Sequence, residues 1–283
     1  MIIILRPSSS LKKYLENYKG KMKLEIKEIN EDVVSNVDAL KLIKNKINRN
    51  FIVIPCDLIS DIDLDSVLDQ HLMTGALCTA VLKENEVKNL KTDKKKESKN
   101  EEVEDYDVVI LDENSKRILQ IKNNYDFSEK VSLKKPILVH HPELKIRTDL
   151  IDCHLYVFDQ QILHFLKNTN RRFGELKDDF LPFIVDNQYN AKFNEELYAD
   201  EEGLEEEKII GNKKTEKKLA AIYAYLLSSN IYCKRITEIA DFMKVNQDVF
   251  VKPLPECLIF TKNNSIMEKK EGEDENKEKK EKK

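Results

Sequence analysis

Over its first 83 residues the chain changes hydrophobic period again and again, and that alternation limits the fold more than any other feature. Residues 1–5 are an apolar run of strand type. Residues 8–18 carry Leu11, Tyr14, Leu15 and Tyr18 on one helical face, with Ser8, Ser9 and Ser10 available to cap it. Residues 22–29 alternate, and residues 33–47 place Val33, Val37, Leu40, Ile43 and Ile47 at helical spacing. A strand at 51–55, a short helix at 64–72 and a strand at 76–83 follow. Strands and helices in strict alternation predict an α/β fold, a mostly parallel sheet flanked by helices.

The pattern breaks where charge accumulates. Of 283 residues, 35% are charged and 41% hydrophobic, and the excess charge falls in three runs. Residues 84–105 have almost no apolar content and read as a solvated, disordered insertion. Residues 194–218 read as a charged linker, and residues 263–283 as a disordered Lys/Glu tail. Between them lie a hairpin at 106–121 and strand-like runs at 133–158. Helices are expected at 160–167, at 175–185 and at 219–227. The domain layout is therefore an α/β domain over 1–193, the linker, and a bridging segment over 219–262.

Several function classes are excluded early. The formal net charge of −4 exerts no general pull on nucleic acid or an anionic membrane. The Lys runs are interleaved with Glu and lack stacking aromatics, so direct nucleic-acid binding is not expected. No apolar run reaches the ~20 residues of a membrane span, and the opening residues lack a leader's charged start, so a cytosolic protein is expected. The five cysteines lie far apart with no CxxC pair, which suits a reducing compartment and argues against a zinc site or disulfide framework. With six glycines in all, there is little material for a glycine-rich phosphate loop.

The chemistry-bearing stretch is Asn50 to Ala76, NFIVIPCDLISDIDLDSVLDQHLMTGA. Asp57 falls just past the end of a strand, where open α/β sheets bind ligands. An acid there holds Mg²⁺ beside phosphates or caps a turn. Cys56 reads as packing, because the neighbouring carboxylate raises a thiol's pKa. His140 and His141 are adjacent on an expected strand, point to opposite faces, and do not share an ion. Tyr223, Tyr225, Tyr232 and Phe242 suit either a small internal core or a seam against a partner.

Collinear blocks resemble one family. NFIVIPCDLISDIDLDSVLDQHLMTGALCTAVL, NVDALKLIKNKI, KKPILVHHPELKIRTDLIDCHLYVFDQQILHFL, ELKDDFLPFIVDNQY and AIYAYLLSSNIYCKRITEIADFMKVNQDV are similar to the nucleotidyltransferase-like domain of the sugar-nucleotide pyrophosphorylase superfamily. Within it they are most similar to the gamma subunit of eukaryotic translation initiation factor 2B. The resemblance implies a nucleotidyltransferase-like (Rossmann-like) fold. It implies a non-catalytic role in a complex that promotes exchange of GDP for GTP on initiation factor 2. The implied partners are the other 2B subunits, epsilon above all, and initiation factor 2, with no cofactor.

In the active enzymes of the superfamily the acid matching Asp57 binds a catalytic metal, and a small Asn-Ala-Gly turn lies in the second metal region. That turn reads Asp152-Cys153-His154 here. Asp57 and Asp152 are thus expected to be vestigial, with no catalytic or metal site. Lys134-Lys135-Pro136 is a weak echo of the enzymes' Glu-Lys-Pro motif and is expected to be a turn entering a strand. The family's first strand and phosphate loop are not found in the chain, and no hexapeptide repeat of a β-helix follows. The alternative is an active sugar-1-phosphate nucleotidyltransferase whose phosphate loop lies outside this chain, with Asp57 and Asp152 holding Mg²⁺.

Overall fold

The computed structural model describes residues 1–20, 22–30, 33, 35–85, 107–123, 133–198 and 219–251. Residues 86–105 of the expected disordered insertion, the linker from residue 199 onward and the tail lie outside these residues, whereas Glu84, assigned to the insertion, pairs with Leu150 at the end of a strand. The chain divides into two compact units. One comprises Met1–Cys56 with Asp63–Ser229, and the other Asp57–Ile62 with the described residues from Asn230.

In the larger unit the described residues form β1 (Ile2–Leu5), α1 (Ser9–Glu16), β2 (Glu25–Glu28), α2 (Asn36–Ile43), β3 (Phe51–Val53), α3 (Leu64–Thr74) and β5 (Cys78–Glu84). A hairpin of β6 (Asp107–Asp112) and β7 (Ile118–Asn123) follows, then α4 (Lys135–His140), β8 (Leu144–Arg147) and β9 (Leu150–Phe158). The unit closes with α5 (Gln161–Asn168), α6 (Leu181–Asn187), α7 (Ala191–Tyr198) and β10 (Ile222–Leu227). A π-helical turn, Leu176–Phe180, leads into α6. The smaller unit contains β4 (Leu58–Ser60), β11 (Cys233–Arg235) and α8 (Ile239–Val251).

The fold is α/β. Its central sheet has the order β10-β5-β9-β3. Strand β10 is parallel to β5, and both β5 and β3 are antiparallel to β9. Three of the four strands therefore run in one direction, with β9 reversed between them. Strands β1 and β2 form a parallel pair, and β7-β6-β8 is a separate antiparallel sheet. The main core gathers Val37, Leu40 and Ile43 of α2, Leu77 with Cys78, Ala80 and Leu82 of β5, Tyr156 and Phe158 of β9, and Ile162, Phe165 and Leu166 of α5.

Local signals explain many of these elements. The Ser35 hydroxyl accepts from the Asp38 amide at the start of α2, and Asp63 does the same for Asp65 at the start of α3. Helix α3 ends at Gly75, whose φ of 58° is the left-handed cap that an L residue adopts only at a cost.

Three sequence expectations are corrected. Residues 222–227, read as helix, are strand β10, because pairing with β5 buries Ile222, Ala224 and Leu227 and tertiary pairing overrides a modest helical propensity. Residues 135–140, read as strand, are helix α4 with Pro136 in its first turn, where its missing N–H costs nothing. Residues 194–198, assigned to the linker, complete α7, whose Phe193 and Leu197 are buried.

Candidate functional site

In the smaller unit Asp57 immediately precedes β4, and β4 pairs antiparallel with β11, with Leu58 opposite Arg235. The Ile236 amide donates to the Asp57 carbonyl at 2.8 Å. That backbone bond brings Arg235 alongside the Asp57 side chain. The guanidinium Nη2 lies 2.5 Å from Oδ2, and Nε donates to Oδ1 at 3.3 Å. Both carboxylate oxygens of Asp57 are therefore engaged by one planar cation, the fork geometry that suits Arg and not Lys. Tyr232 extends the seam: its carbonyl accepts from the Asp61 amide at 3.0 Å and from Ser60 Oγ at 2.8 Å, and its phenol donates to Asp248 at 3.0 Å.

In the larger unit Asp152 lies on β9 beside a bulge. Ala80 pairs with Tyr156 and Leu82 with Asp152, so three residues of β9 bow out opposite Val81 alone. His154, within the bow, takes φ 54°. Asp152 receives the His154 amide on Oδ1 at 2.7 Å and the Tyr156 hydroxyl on Oδ2 at 2.7 Å.

A small cavity adjoins this carboxylate, lined by Ala80, Leu82, Asp107, Val109, Leu150, Asp152 and Lys177 among others. It offers about 10 Å³ to a water-sized sphere, room for about one water. Lys177, from the π-helical turn, pairs with Asp107 of β6 at 2.8 Å. Burial raises the Asp152 pKa to about 6, against the lowering pull of Tyr156, the His154 amide and Lys177. Burial works against the Lys177 ammonium, but the bond to Asp107 and the charges of Asp107, Asp152 and Asp178 outweigh it and hold its pKa above the usual value.

Asp57 and Asp152 belong to different units. Among the described residues no group of three or more His, Cys, Asp or Glu side chains is placed to hold a metal. His140 and His141 close α4 and do not sit on a strand. His141 links Asp112, at 3.2 Å from Nδ1, to the Tyr189 hydroxyl, at 2.5 Å from Nε2. His140 stacks on the same Tyr189 ring at 5.5 Å. Lys134 is bound to Asp186, at 3.4 Å from the carboxylate and 2.6 Å from the carbonyl.

Cys56, expected to pack, is exposed, because the chain leaves the sheet after Val53. Cys153 is buried. The four aromatics do not form one set: Tyr223 and Tyr225 lie on β10 of the larger unit, and Tyr232 and Phe242 in the smaller. Sequence reasoning missed Arg235, Lys177 and Asp107, which lie 178, 25 and 45 positions from the acids they serve. No local spacing announces such partners.

Among the described residues no helix is long and apolar enough to cross a membrane. No family model matches the chain. Among curated proteins it is similar to translation initiation factor eIF2B subunit gamma of Schizosaccharomyces pombe, 23% identical over 62% of this chain and 38% of that protein. The same subunit of Dictyostelium discoideum is 22% identical over 88% of this chain and 62% of that protein. The epsilon subunit of S. pombe is 25% identical over 54% of this chain and 22% of that protein. A solved structure, HddC from Yersinia pseudotuberculosis, superimposes with a TM-score of 0.49 at 14% identity, covering 87% of this chain and 77% of that one. The chain spans between 38% and 62% of the length of the gamma subunits it matches. This α/β chain resembles the gamma subunit of translation initiation factor eIF2B.

Proposed function

We propose that the chain is a non-catalytic subunit of an eIF2B-type complex, supporting exchange of GDP for GTP on initiation factor 2 in the cytosol. It acts by holding partners in place, the epsilon subunit first among them. The observation that carries the non-catalytic part is the state of the two acids. Each has both carboxylate oxygens engaged from inside the chain, Asp57 by Arg235 and Asp152 by Tyr156 and the His154 amide. Metal-assisted nucleotidyl transfer needs carboxylate oxygens free for the ion and a cationic clamp on the phosphates. Here the cation beside Asp57 is spent on Asp57 itself. The subunit part of the reading is supported by the resemblance to gamma subunits over up to 88% of the chain.

Affinity purification of the tagged native protein at moderate salt, with co-purifying chains identified by mass spectrometry, tests this. Recovery of the other eIF2B subunits with initiation factor 2 is the expected result. Recovery of the chain alone, or in company with itself only, overturns it.

A further inference from the structure

We infer that Arg235 is a built-in counter-ion that does at Asp57 the electrostatic work a divalent cation does at a strand-end carboxylate, so that this acid is closed to metal. The inference deepens the non-catalytic reading and rests on it.

The residues present do not fit a metal. Mg²⁺ demands a near-octahedral shell of oxygens, and binds through one or two carboxylates with free lone pairs, keeping several waters. At Asp57 both oxygens face guanidinium nitrogens, at 2.5 and 3.3 Å. A divalent ion reaching either oxygen meets a fixed positive charge within one or two bond lengths. Among the described residues no group of three or more His, Cys, Asp or Glu side chains is placed to complete a metal shell. Asp241 is committed to the Thr237 hydroxyl and the Glu238 amide, at 2.9 and 3.2 Å. Asp248 is held by Tyr232 at 3.0 Å. Asp61 keeps a buried Oδ1 without a partner, but four residues of extended chain put it roughly 13 Å along the backbone from Asp57.

Arg235 also holds an entropic advantage. The pairing of Cys233 with Ser60 and of Lys234 with Ile59 sets its backbone, so only the side chain remains to be ordered. A free ion has to be captured from solution and partly stripped of water. With the pair about a quarter exposed, salt weakens the contact without replacing it.

The test is a Mn²⁺ titration of the full chain followed by electron paramagnetic resonance. Wild type is expected to bind no Mn²⁺ that Asp57→Asn removes. Arg235→Gln and Arg235→Ala are expected to bind one Mn²⁺ at least tenfold tighter than wild type, and the Asp57→Asn/Arg235→Gln double variant to lose it. The inference is overturned if wild type holds an Asp57-dependent Mn²⁺. It is equally overturned if a folded Arg235 variant binds no tighter than wild type. Should neither variant fold, the wild-type and Asp57→Asn arms decide alone. Failure here leaves the co-purification result standing, and a chain that purifies without partners leaves the Mn²⁺ result standing.

Discussion

The phenol of Tyr156 donates to the carboxylate of Asp152 at 2.7 Å, although the two residues are four apart on the same strand. Along a regular strand that separation is about 13 Å. The bulge closes it, by turning His154 to φ 54° and bowing three residues out opposite Val81. The strand is thereby folded over a carboxylate that lies against a cavity with room for about one water. The same bow that satisfies Asp152 leaves it half-buried.

A pH dependence of stability follows from that burial. The folded pKa of Asp152 is raised to about 6, above the unfolded value near 3.9. Between these values the native state holds a proton that the unfolded chain releases, so this group's contribution is fully present below about pH 4 and is lost as pH rises through about 6. The loss amounts to roughly 1–3 kcal/mol. Asp152→Asn keeps an oxygen for the His154 amide and an amide to donate to Tyr156. Urea midpoints measured from pH 4 to pH 8 should fall for wild type relative to this variant. Parallel curves exclude the assignment.

Lys177 should reveal itself through the same group. Its charge lowers the Asp152 pKa, and it pairs with Asp107 at a site where the side chains are 24% and 15% exposed. Lys177→Met strands Asp107 and removes the cation facing Asp152, at a cost of about 2 kcal/mol after allowance for that exposure. Because Asp152 is ionised at pH 8 and largely protonated at pH 5, the loss is expected to be greater at pH 8. An equal loss at both pH values, read from urea unfolding, contradicts the coupling.

His154 stands where the backbone conformation weighs on the choice of residue. A left-handed φ costs an L residue roughly 1–2 kcal/mol, and a β-branched side chain suffers most. His154→Gly should be neutral or stabilising by up to about 1 kcal/mol, the gain being trimmed by the glycine's extra unfolded-state entropy. His154→Val should cost about 2 kcal/mol. Thermal unfolding of the two variants checks the order, and a glycine variant less stable than the valine one refutes it.

Gly75 offers a test free of packing. A Cβ placed there meets nothing within 4 Å, yet its φ is 58°. Gly75→Ala is therefore expected to lower stability by about 1 kcal/mol through the helix cap alone, seen as a downward shift of Tm. An unchanged Tm means that the cap relaxes.

The α/β class, the strands at β1, β3 and β5, helix α3 and the resemblance to the gamma subunit can all be read from the chain alone. Those features are written in hydrophobic period, capping residues and collinear blocks, all local in the chain. It also singled out Asp57 and Asp152 as the acids to examine. The groups that face them come from the folding of distant segments. Arg235 reaches Asp57 across 178 residues because β11 pairs with β4 in one register, and Lys177 reaches Asp107 because a π-helical turn sets its side chain beside β6. Residues 222–227 became strand because β5 offered an open edge. In each case the deciding interaction lies far away in the sequence, and its energy exceeds the local preference that a window of neighbours encodes.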